Sequence, residues 1–361
     1  MARAAVFESV NGPMVVRELA NRDPGPEDVL VRNLCSGVCH TDQSVWNGSM
    51  PIPPPAVLGH EGAGVVEAVG ERVRDVAVGD MVVTSCAPAC GKCWFCLAGE
   101  PQSCARMSEL TASAVFVDAD GTELRGMAGL GTFSEMMTVN QASVFPVRTD
   151  LPPEQLALVS CGVTTGFGAV LNTARVQPGA SVAVFGCGGV GQSVIQAAVI
   201  SGATTIVAVD PVPTKRESAL AIGATDAVDP GSGDPAQQIR DLTSGRGVDY
   251  SFEALGKSET MLGAWKSTRV GGKTVVIGMS KFDDVLTLPA PEVLLSRRSL
   301  VGSIFGGGDA SRIFQTVVGL AEQGRIDLGG MVSRIITIHD VVDAFGEMDK
   351  GSVVRSVIRY S

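Results

Sequence analysis

Four of the nine cysteines lie close together in the sequence, in the order Cys90, Cys93, Cys96 and Cys104. Thiolates two residues apart can bind one tetrahedral ion on a tight turn, and a fourth thiolate completes the coordination shell. An iron–sulfur cluster also uses four thiolates, but the proline that follows the last cysteine of ferredoxin motifs is absent here. The spacing therefore favours a structural zinc site, and it argues against four unrelated buried thiols.

A second pattern is a glycine-rich turn between an apolar run and a helical pattern. It comprises Gly186, Gly188, Gly189, Val190 and Gly191. Glycines at this spacing permit a tight turn, let the backbone approach a pyrophosphate and let the helix pack closely on the strand. The free N–H groups of the helix N-terminus attract phosphates. Since strand, turn, helix and second strand are all present, we predict a dinucleotide-binding unit.

The nature of the dinucleotide depends on Asp210, which ends the second apolar run 19 residues after Gly191. A carboxylate at this position accepts hydrogen bonds from the adenosine ribose hydroxyls and repels a 2′-phosphate. NAD is therefore favoured over NADP as the cofactor. Lys215 and Arg216 lie nearby and are the features that would suit a 2′-phosphate.

Three further segments carry residues that could bind a metal or move a proton. Cys39 and Asp42 lie in the sequence Gly-Val-Cys-His-Thr-Asp, on a turn after a predicted strand. His60 and Glu61 follow a proline-rich loop, and Cys161 lies where the strand-rich part of the chain ends. Taken alone, each is more often structural, as a buried cysteine or a histidine packed in a core.

The overall charge limits the partners that this chain can bind. The formal net charge is −10 and the isoelectric point is about 4.9, which argues against nucleic acid or an anionic membrane. The sequence has no uninterrupted apolar run of about 18 residues and no secretion signal. We therefore expect a cytoplasmic protein, in which clustered cysteines bind metal rather than form disulfides.

The elements that position these residues fall into two groups, as a length of 361 residues suggests. The first half alternates apolar and polar residues and predicts short antiparallel strands, with a long, less regular connection over 105–131. After Cys161 strands and helices alternate, which predicts βαβ units and a parallel sheet. The predicted parallel strands are 182–186, 205–209, 227–228, 248–252 and 274–277.

Taken together and in this order, the motifs resemble the zinc-containing medium-chain alcohol dehydrogenases. The resemblance covers essentially the whole chain, down to Gly351–Arg355, and is nearest to the primary-alcohol and thiol-adduct dehydrogenases. It implies an α/β protein with a β-rich, GroES-like catalytic domain formed by residues 1–162 and 305–361, a partly open barrel. Residues 163–304 would form a doubly wound, NAD-binding Rossmann domain. Relatives are homodimers or homotetramers, so we expect a homo-oligomer.

The resemblance also implies roles for individual residues. Cys39, His60 and Cys161 would bind a catalytic zinc, while the four clustered cysteines would bind the second zinc of the chain. Asp42 would hold the other nitrogen of His60, and Glu61 would lie behind the metal. Thr41 would receive the alcohol proton. Many relatives continue this relay with a histidine where this chain has Ser44, so water or His40, which relatives place beside the pyrophosphate, would carry the proton onward.

The resemblance also implies contacts with the cofactor and the substrate, and some of these residues could instead lie on the surface or pack in the core. Thr165 would contact the cofactor near the nicotinamide, Ile277 would also contact the cofactor, and Lys215 would lie near the adenosine ribose. Arg355 would meet the pyrophosphate, or it would be a surface residue of the last strand. Three residues are candidates for the substrate channel and equally for core packing: Cys86, Trp46 and Ile304.

The expected function is reversible oxidation of primary alcohols, medium-chain or aromatic, by hydride transfer to NAD. One alternative is oxidation of a formaldehyde adduct of glutathione or mycothiol, for which Arg106 or Arg125 would hold the carboxylate of the thiol. Another alternative, from a different class of protein, is a non-catalytic redox sensor that binds NAD and zinc.

Overall fold

The computed structural model describes residues 1–360 and divides the chain into two compact units. One unit comprises Met1–Cys161 and the stretch from Asp309 to the C-terminus, and the other comprises Gly162–Gly308. These boundaries, after residues 161 and 308, differ by one and four residues from the predicted ones, after 162 and 304. The division into units does not test the binding of zinc by the first domain or of NAD by the second, which stay predictions.

The first unit is built mainly from strands. Its N-terminal strands are β1 (Ala2–Phe7), β2 (Met14–Asn21), β3 (Asp28–Val38), β4 (Ala56–Val57), β5 (Glu61–Val69), β6 (Met81–Thr84), β7 (Val115–Val117), β8 (Glu123–Gly126), β9 (Met136–Asn140) and β10 (Val144–Pro146). Its helices here are α1 (His40–Trp46), α2 (Trp94–Leu97), α3 (Met107–Leu110) and α4 (Pro153–Leu158). The chain then enters the second unit.

The second unit is a parallel sheet with helices between its strands. The strands are β11 (Ser181–Phe185), β12 (Thr205–Val209), β13 (Asp226–Val228), β14 (Val248–Glu253), β15 (Thr268–Val276) and β16 (Ser299–Gly302). The helices are α5 (Thr164–Gly168), α6 (Gly189–Ile200), α7 (Pro213–Ala221), α8 (Pro235–Leu242), α9 (Ser258–Ser267) and α10 (Ala290–Ser296). The chain returns to the first unit with α11 (Ala310–Glu322), β17 (Val332–Ile336), α12 (Val341–Asp349) and β18 (Arg355–Arg359).

The strand order of the second unit is β13-β12-β11-β14-β15-β16, and all neighbouring pairs are parallel. This is the order of a doubly wound dinucleotide-binding sheet, so the predicted Rossmann arrangement is confirmed. β12 has four consecutive buried residues, because helices cover both faces of such a sheet. The order reverses between β11 and β14, which places the ligand crevice at their carboxyl ends.

The first unit contains two sheets. Five strands close into a ring in the order β1-β2-β7-β8-β4, which differs from the partly open barrel that we expected. The ring closes because β4 pairs with both β1 and β8. A second sheet has the order β10-β6-β5-β3-β18-β17, and β9 also pairs with β3. A core of buried aliphatic and aromatic side chains, including Phe116 and Leu124, fills the unit.

Two segments differ from the sequence-based expectation. The connection over 105–131 contains α3, β7 and β8, and is therefore more regular than predicted. A helical stretch from Pro153 to Ala174, interrupted by π-helical turns, was not predicted. It is long and apolar enough to cross a membrane by composition, but most of it is buried inside the protein, as in the core helix of a globular fold.

Candidate functional site

The turn after β3 brings a thiol and a carboxylate together. Cys39 caps the N-terminus of α1, and Asp42, three residues later, accepts a hydrogen bond from the Cys39 backbone N–H at 3.0 Å. This is a capping box, in which the carboxylate satisfies an N–H group that the helix leaves unpaired. Both residues are buried. The local sequence therefore fixes the Cys39 thiol at the beginning of a helix.

The same carboxylate also holds the segment that precedes β5. Asp42 Oδ1 accepts the Gly59 N–H at 3.1 Å and lies 3.0 Å from Nδ1 of His60. A histidine held in this way through Nδ1 presents Nε2 to a ligand. The backbone of His60 is fixed from the other side, because its carbonyl oxygen accepts a hydrogen bond from the Thr84 hydroxyl at 3.3 Å.

Glu61 begins β5 and pairs with Gly37 of β3. A Cβ atom on residue 37 would lie 2.2 Å from Glu61 Oε2, so only glycine leaves room for this carboxylate. Glu61 Oε1 accepts a hydrogen bond from Arg355 at 3.1 Å, whereas Oε2 is buried without a hydrogen-bond partner among the residues described. Burial raises the pKa of Glu61 to about 8, although the positive charge of Arg355 opposes this shift.

Cys161 comes from a π-helical turn, Val159–Val163, inside the long helical stretch. Such turns are frequent at functional sites because they redirect a side chain out of the regular helical repeat. The ligand atoms of Cys39, His60, Glu61 and Cys161 all lie within 4.8 Å of one another. The structure thus brings together the three predicted catalytic-zinc ligands, and it adds Glu61 to the group.

These residues fit a zinc ion. Two thiols, an imidazole and a carboxylate are zinc-type ligands, and the unpartnered Oε2 of Glu61 is a buried acceptor that a cation would satisfy. The pKa of Cys39 is well below its usual value, because the Cys161 thiol donates a hydrogen bond to it and the Arg355 guanidinium lies nearby. A thiolate is the form in which cysteine binds metal.

Arg355 is buried, which decides between its two sequence-based interpretations in one respect only. The side chain is 4% exposed, so the interpretation as a surface residue is wrong. Its guanidinium contacts Glu61 Oε1 at 3.1 Å and Cys39 Sγ at 3.8 Å. The contact with a pyrophosphate stays a prediction, since the structure accounts for this arginine as the counter-charge of Glu61.

The four clustered cysteines also fit zinc. The Sγ atoms of Cys93 and Cys96 are 3.5 Å apart, and those of Cys90–Cys96 and Cys93–Cys104 are 4.0 Å apart. Sulfurs that share one zinc at about 2.3 Å lie about 3.8 Å apart. Backbone N–H groups point at the sulfurs, for example from residue 90 to Cys104 Sγ at 3.3 Å. Hydrogen bonds from the amides of Cys96 and Ala105 lower the pKa of Cys93 to about 6.

The glycine turn of the second unit has the shape that a pyrophosphate needs. Gly186 has φ +89°, and a Cβ on Gly191 would lie 1.8 Å from the Gly186 carbonyl oxygen, so α6 can pack on the turn only with glycine there. Gly188 caps α6, and a Cβ there would meet nothing within 4 Å. This open space beside the helix N-terminus fits a dinucleotide phosphate.

Asp210 lies at the carboxyl end of β12 and is 3% exposed. Its carboxylate accepts hydrogen bonds from the backbone N–H groups of Cys187 at 2.8 Å and Val212 at 2.9 Å. Arg216 is occupied elsewhere, because its guanidinium donates to the Asp210 carbonyl at 2.6 Å and pairs with Asp229 at 3.2 Å. Lys215 is partly exposed on α7.

The remaining predicted residues are placed as follows. On α1, His40 is exposed, Ser44 is partly exposed, and Thr41 has its hydroxyl 3.7 Å from Cys39 Sγ. Thr165 is partly exposed on α5, and Ile277 follows β15.

The three candidates for the substrate channel lie in different surroundings. Cys86 hydrogen-bonds with Cys161, Trp46 packs on Phe345 with ring centroids 5.5 Å apart, and Ile304 is 68% exposed.

Two thiols and an imidazole held by a carboxylate, in a chain with a dinucleotide-binding turn, indicate a metal-dependent dehydrogenase. Residues 25–149 match the model of the alcohol dehydrogenase GroES-like domain, and residues 189–323 match that of the zinc-binding dehydrogenases. The S-(hydroxymethyl)glutathione dehydrogenase of Synechocystis sp. is 38% identical to the chain, covering 99% of the chain and 100% of the relative.

Solved structures agree with these matches. An alcohol dehydrogenase zinc-binding domain protein from Burkholderia ambifaria is 33% identical, with a TM-score of 0.95 over 100% of this chain and 99% of that one. Benzyl alcohol dehydrogenase from Acinetobacter calcoaceticus is 30% identical, with a TM-score of 0.93 over the same shares. The chain belongs to the zinc-containing medium-chain alcohol dehydrogenase family, as the motifs predicted, and is an oxidoreductase whose resident metal is zinc.

Sequence reasoning missed three features of this site. Gly37, Thr84 and the inward orientation of Arg355 were not identified as parts of it. Gly37 could have been noticed in the sequence, because it begins the segment Gly-Val-Cys-His. The need for glycine at this position, however, comes from a contact with the neighbouring strand. Thr84 and Arg355 gave none, since their importance depends on side chains far away in sequence.

The two ligand groups predict separate losses of zinc. Cys161→Ser should remove the metal at the Cys39 group alone, and Cys93→Ser the metal at the four-cysteine group alone, because each change deletes one ligand from a set of at most four. Elemental analysis of purified protein should give about two zinc ions per chain for the wild type and about one for each variant.

Cys86→Ser is the matched control, because this cysteine contacts Cys161 but belongs to neither ligand group. It should keep both zinc ions. If Cys93→Ser and Cys161→Ser both retained the wild-type zinc content, the assignment of the ligands would be wrong.

Proposed function

We propose that this protein oxidises primary alcohols, aromatic or medium-chain, to aldehydes and reverses the reaction, with NAD as the hydride acceptor. The observation that carries the proposal is the convergence of Cys39, His60 and Cys161, with Asp42 fixing the histidine. With Glu61 behind the metal rather than bound to it, two thiolates and one imidazole leave one position of a tetrahedral zinc for substrate. Zinc held there supplies a Lewis acid that polarises an alcohol or carbonyl oxygen.

The residues of the chain would divide the remaining work. An alcohol loses a hydride, which NAD accepts, and a proton, so the products are aldehyde, NADH and H⁺. The Thr41 hydroxyl is proposed to receive that proton, since it lies beside Cys39 Sγ at the edge of the ligand group. Ser44 cannot act as a base near neutral pH, so the proton would continue through water or His40. Behind the ligands, Arg355 donates a hydrogen bond to Glu61.

The substrate class rests on two observations. Cys86, a small side chain, lies against Cys161 and leaves more room beside the ligand group than an aromatic residue would. The similarity to benzyl alcohol dehydrogenase extends over the whole chain. We propose Cys86 as a wall of the substrate site, whereas the contact of Trp46 with Phe345 supports a packing role for that tryptophan.

The second candidate is oxidation of a formaldehyde–thiol adduct, favoured by the 38% identity to an S-(hydroxymethyl)glutathione dehydrogenase. That activity needs a cation to bind the carboxylate of the thiol. Arg106 is paired with Glu109 at 2.7 Å, which lowers its value for this role, and Arg125 is exposed on β8. We therefore rank the thiol adduct below simple alcohols.

A substrate panel tests the proposal. With NAD in excess, NADH formation from benzyl alcohol or octanol should exceed that from ethanol, because apolar contact adds about 0.8 kcal/mol per buried methylene group. Formaldehyde with glutathione or mycothiol should give a kcat/KM at least about ten-fold lower than benzyl alcohol, a difference of about 1.4 kcal/mol.

The reverse order would favour the thiol-adduct dehydrogenase. A protein that carries two zinc ions and binds NADH but oxidises none of these substrates would favour the redox sensor.

We propose a cytoplasmic location, because all nine cysteines are free of disulfide bonds. Cell fractionation with an antibody would test it.

The choice of cofactor is proposed to depend on Asp210. Replacing it with alanine removes the charged acceptor of the ribose hydrogen bonds, which is worth about 1.5–3 kcal/mol. It also removes the negative charge that repels a 2′-phosphate. The ratio of kcat/KM for NAD to that for NADP should therefore fall about 100-fold in Asp210→Ala.

Glu217→Gln is the control, since it removes an exposed negative charge from α7 without touching Asp210. Its cofactor ratio should stay within about three-fold of the wild type. An unchanged ratio in Asp210→Ala would contradict the assignment.

The partner that we propose is a second copy of the chain. β16 ends the parallel sheet, so one of its edges has unpaired backbone groups that can pair with another strand. Leu294 and Leu295 on the adjoining helix α10 are 76% and 75% exposed, and Leu300 on β16 is 39% exposed. An edge strand flanked by apolar side chains suits a symmetric contact between two copies.

Sedimentation velocity should show a dimer or tetramer for the wild type and a smaller species for the double variant Leu294→Lys, Leu295→Lys, because two buried charges would oppose the contact. Leu242→Lys, on α8, is the control, as this side chain is also exposed. A monomeric wild type would contradict the proposal.

A further inference from the structure

A fully buried carboxyl group lies at the crevice of the parallel sheet. Glu253 is the last residue of β14, the strand next to β11 at the point where the strand order reverses. It is 0% exposed, and burial raises its pKa. Burying a carboxyl group is costly unless hydrogen bonds compensate for it, so its position needs a reason.

The side chain of Glu253 closes the turn that follows β14. Its Oε1 accepts hydrogen bonds from the backbone N–H of Leu255 at 3.0 Å, from that of Gly256 at 2.8 Å and from the Thr260 hydroxyl at 2.6 Å. Thr260 lies in the first turn of α9. One oxygen therefore ties the end of a strand, a turn and the beginning of the next helix together.

The backbone of the same residue ties in a second strand. The Glu253 carbonyl oxygen accepts the N–H groups of Ile277 at 2.8 Å and Gly278 at 3.0 Å, immediately after β15. A Cβ on Gly278 would lie 2.0 Å from the nitrogen of Gly256, so the turns after β14 and β15 are in direct contact. Ile277 is one of the residues predicted to contact the cofactor.

The turn also reaches the glycine motif. A Cβ on Gly186 would lie 2.6 Å from Cγ of Leu255, so the side chain of Leu255 rests on the first glycine of the pyrophosphate turn. The backbone N–H next to Glu253, that of Ala254, donates to the Phe185 carbonyl at 2.9 Å. The turn that Glu253 closes is therefore packed against the end of β11.

We propose that Glu253 is a positioning residue for the dinucleotide, which holds the turns after β11, β14 and β15 in the arrangement that receives it. The inference rests on the proposed binding of NAD at the Gly186 turn. The side chain of Glu253 acts through Leu255 and Gly256, whose turn packs against those after β11 and β15. Because these are the segments that order the crevice, loosening them should weaken cofactor binding more than it weakens zinc binding or the fold.

NADH binding to the zinc-loaded full-length protein, followed by nicotinamide fluorescence, tests this. Glu253→Ala removes the shared acceptor and should raise the Kd for NADH at least about ten-fold, because three hydrogen bonds are lost. Glu253→Gln keeps an acceptor oxygen and should stay within about three-fold of the wild type. The zinc content of both variants should equal that of the wild type.

Ser251→Ala is the matched control for general destabilisation. Ser251 is also fully buried, lies two residues earlier on the same face of β14, and hydrogen-bonds to the Ala264 carbonyl and Thr268. Its removal should lower the melting temperature while leaving the Kd for NADH unchanged. If Ser251→Ala weakened NADH binding as much as Glu253→Ala, or if Glu253→Ala bound NADH like the wild type, the inference would be overturned.

Thr260→Val keeps the test decisive if Glu253→Ala does not fold. It removes one of the three donors and leaves the carboxyl group in place, so the Kd should rise about five-fold, with faster hydrogen exchange at Leu255 and Gly256. Unchanged affinity and exchange would count against the inference. A wild-type protein that binds neither NADH nor NADPH would overturn the proposed function together with this inference. If the wild type binds NADH and the variants do not behave as expected, only the inference about Glu253 is overturned.

Discussion

The carboxylate of Asp42 is the interaction on which the metal-binding part of the structure depends. It caps α1 through the Cys39 N–H, holds the loop before β5 through the Gly59 N–H and fixes His60 through Nδ1. Two predicted ligands that are 21 residues apart in the sequence (39 and 60) are thus oriented by one buried group. Because the side chain is 0% exposed, loss of any of these donors would leave a charge unsatisfied in the interior.

The second unit uses buried acids in the same way, at the carboxyl ends of its parallel strands. Asp210, which follows β12, accepts backbone N–H groups from the turns after β11 and β12. Glu253, the last residue of β14, accepts two backbone N–H groups and a hydroxyl from the segment that follows it. Carboxylates suit this task because they accept several hydrogen bonds and donate none when ionised. The residue types that look catalytic in a sequence therefore also include those that shape the turns around a ligand.

The sequence predicted those parts of the fold that local patterns determine. β12 has the predicted bounds, and β11 begins and ends within one residue of its predicted bounds, because an unbroken apolar run marks such strands. The motifs also identified the side chains that converge in the two candidate metal groups. The closed ring of β1, the helix after Pro153 and the burial of Arg355 were not predicted, because each depends on distant partners. Arg355, for example, is explained only by Glu61, 294 residues away.

The antiparallel register of β3 against β5 determines whether the predicted ligands of the first group can meet. Gly37 of β3 lies opposite Glu61 of β5. Cys39 comes two residues after Gly37, and His60 comes immediately before Glu61. A slip of one residue in this pairing would turn Glu61 to the opposite face of the sheet and place a side chain other than hydrogen against its carboxylate. Chains with the wrong register would then lack a complete ligand set. A complete first ligand group therefore requires the observed register of β3 against β5.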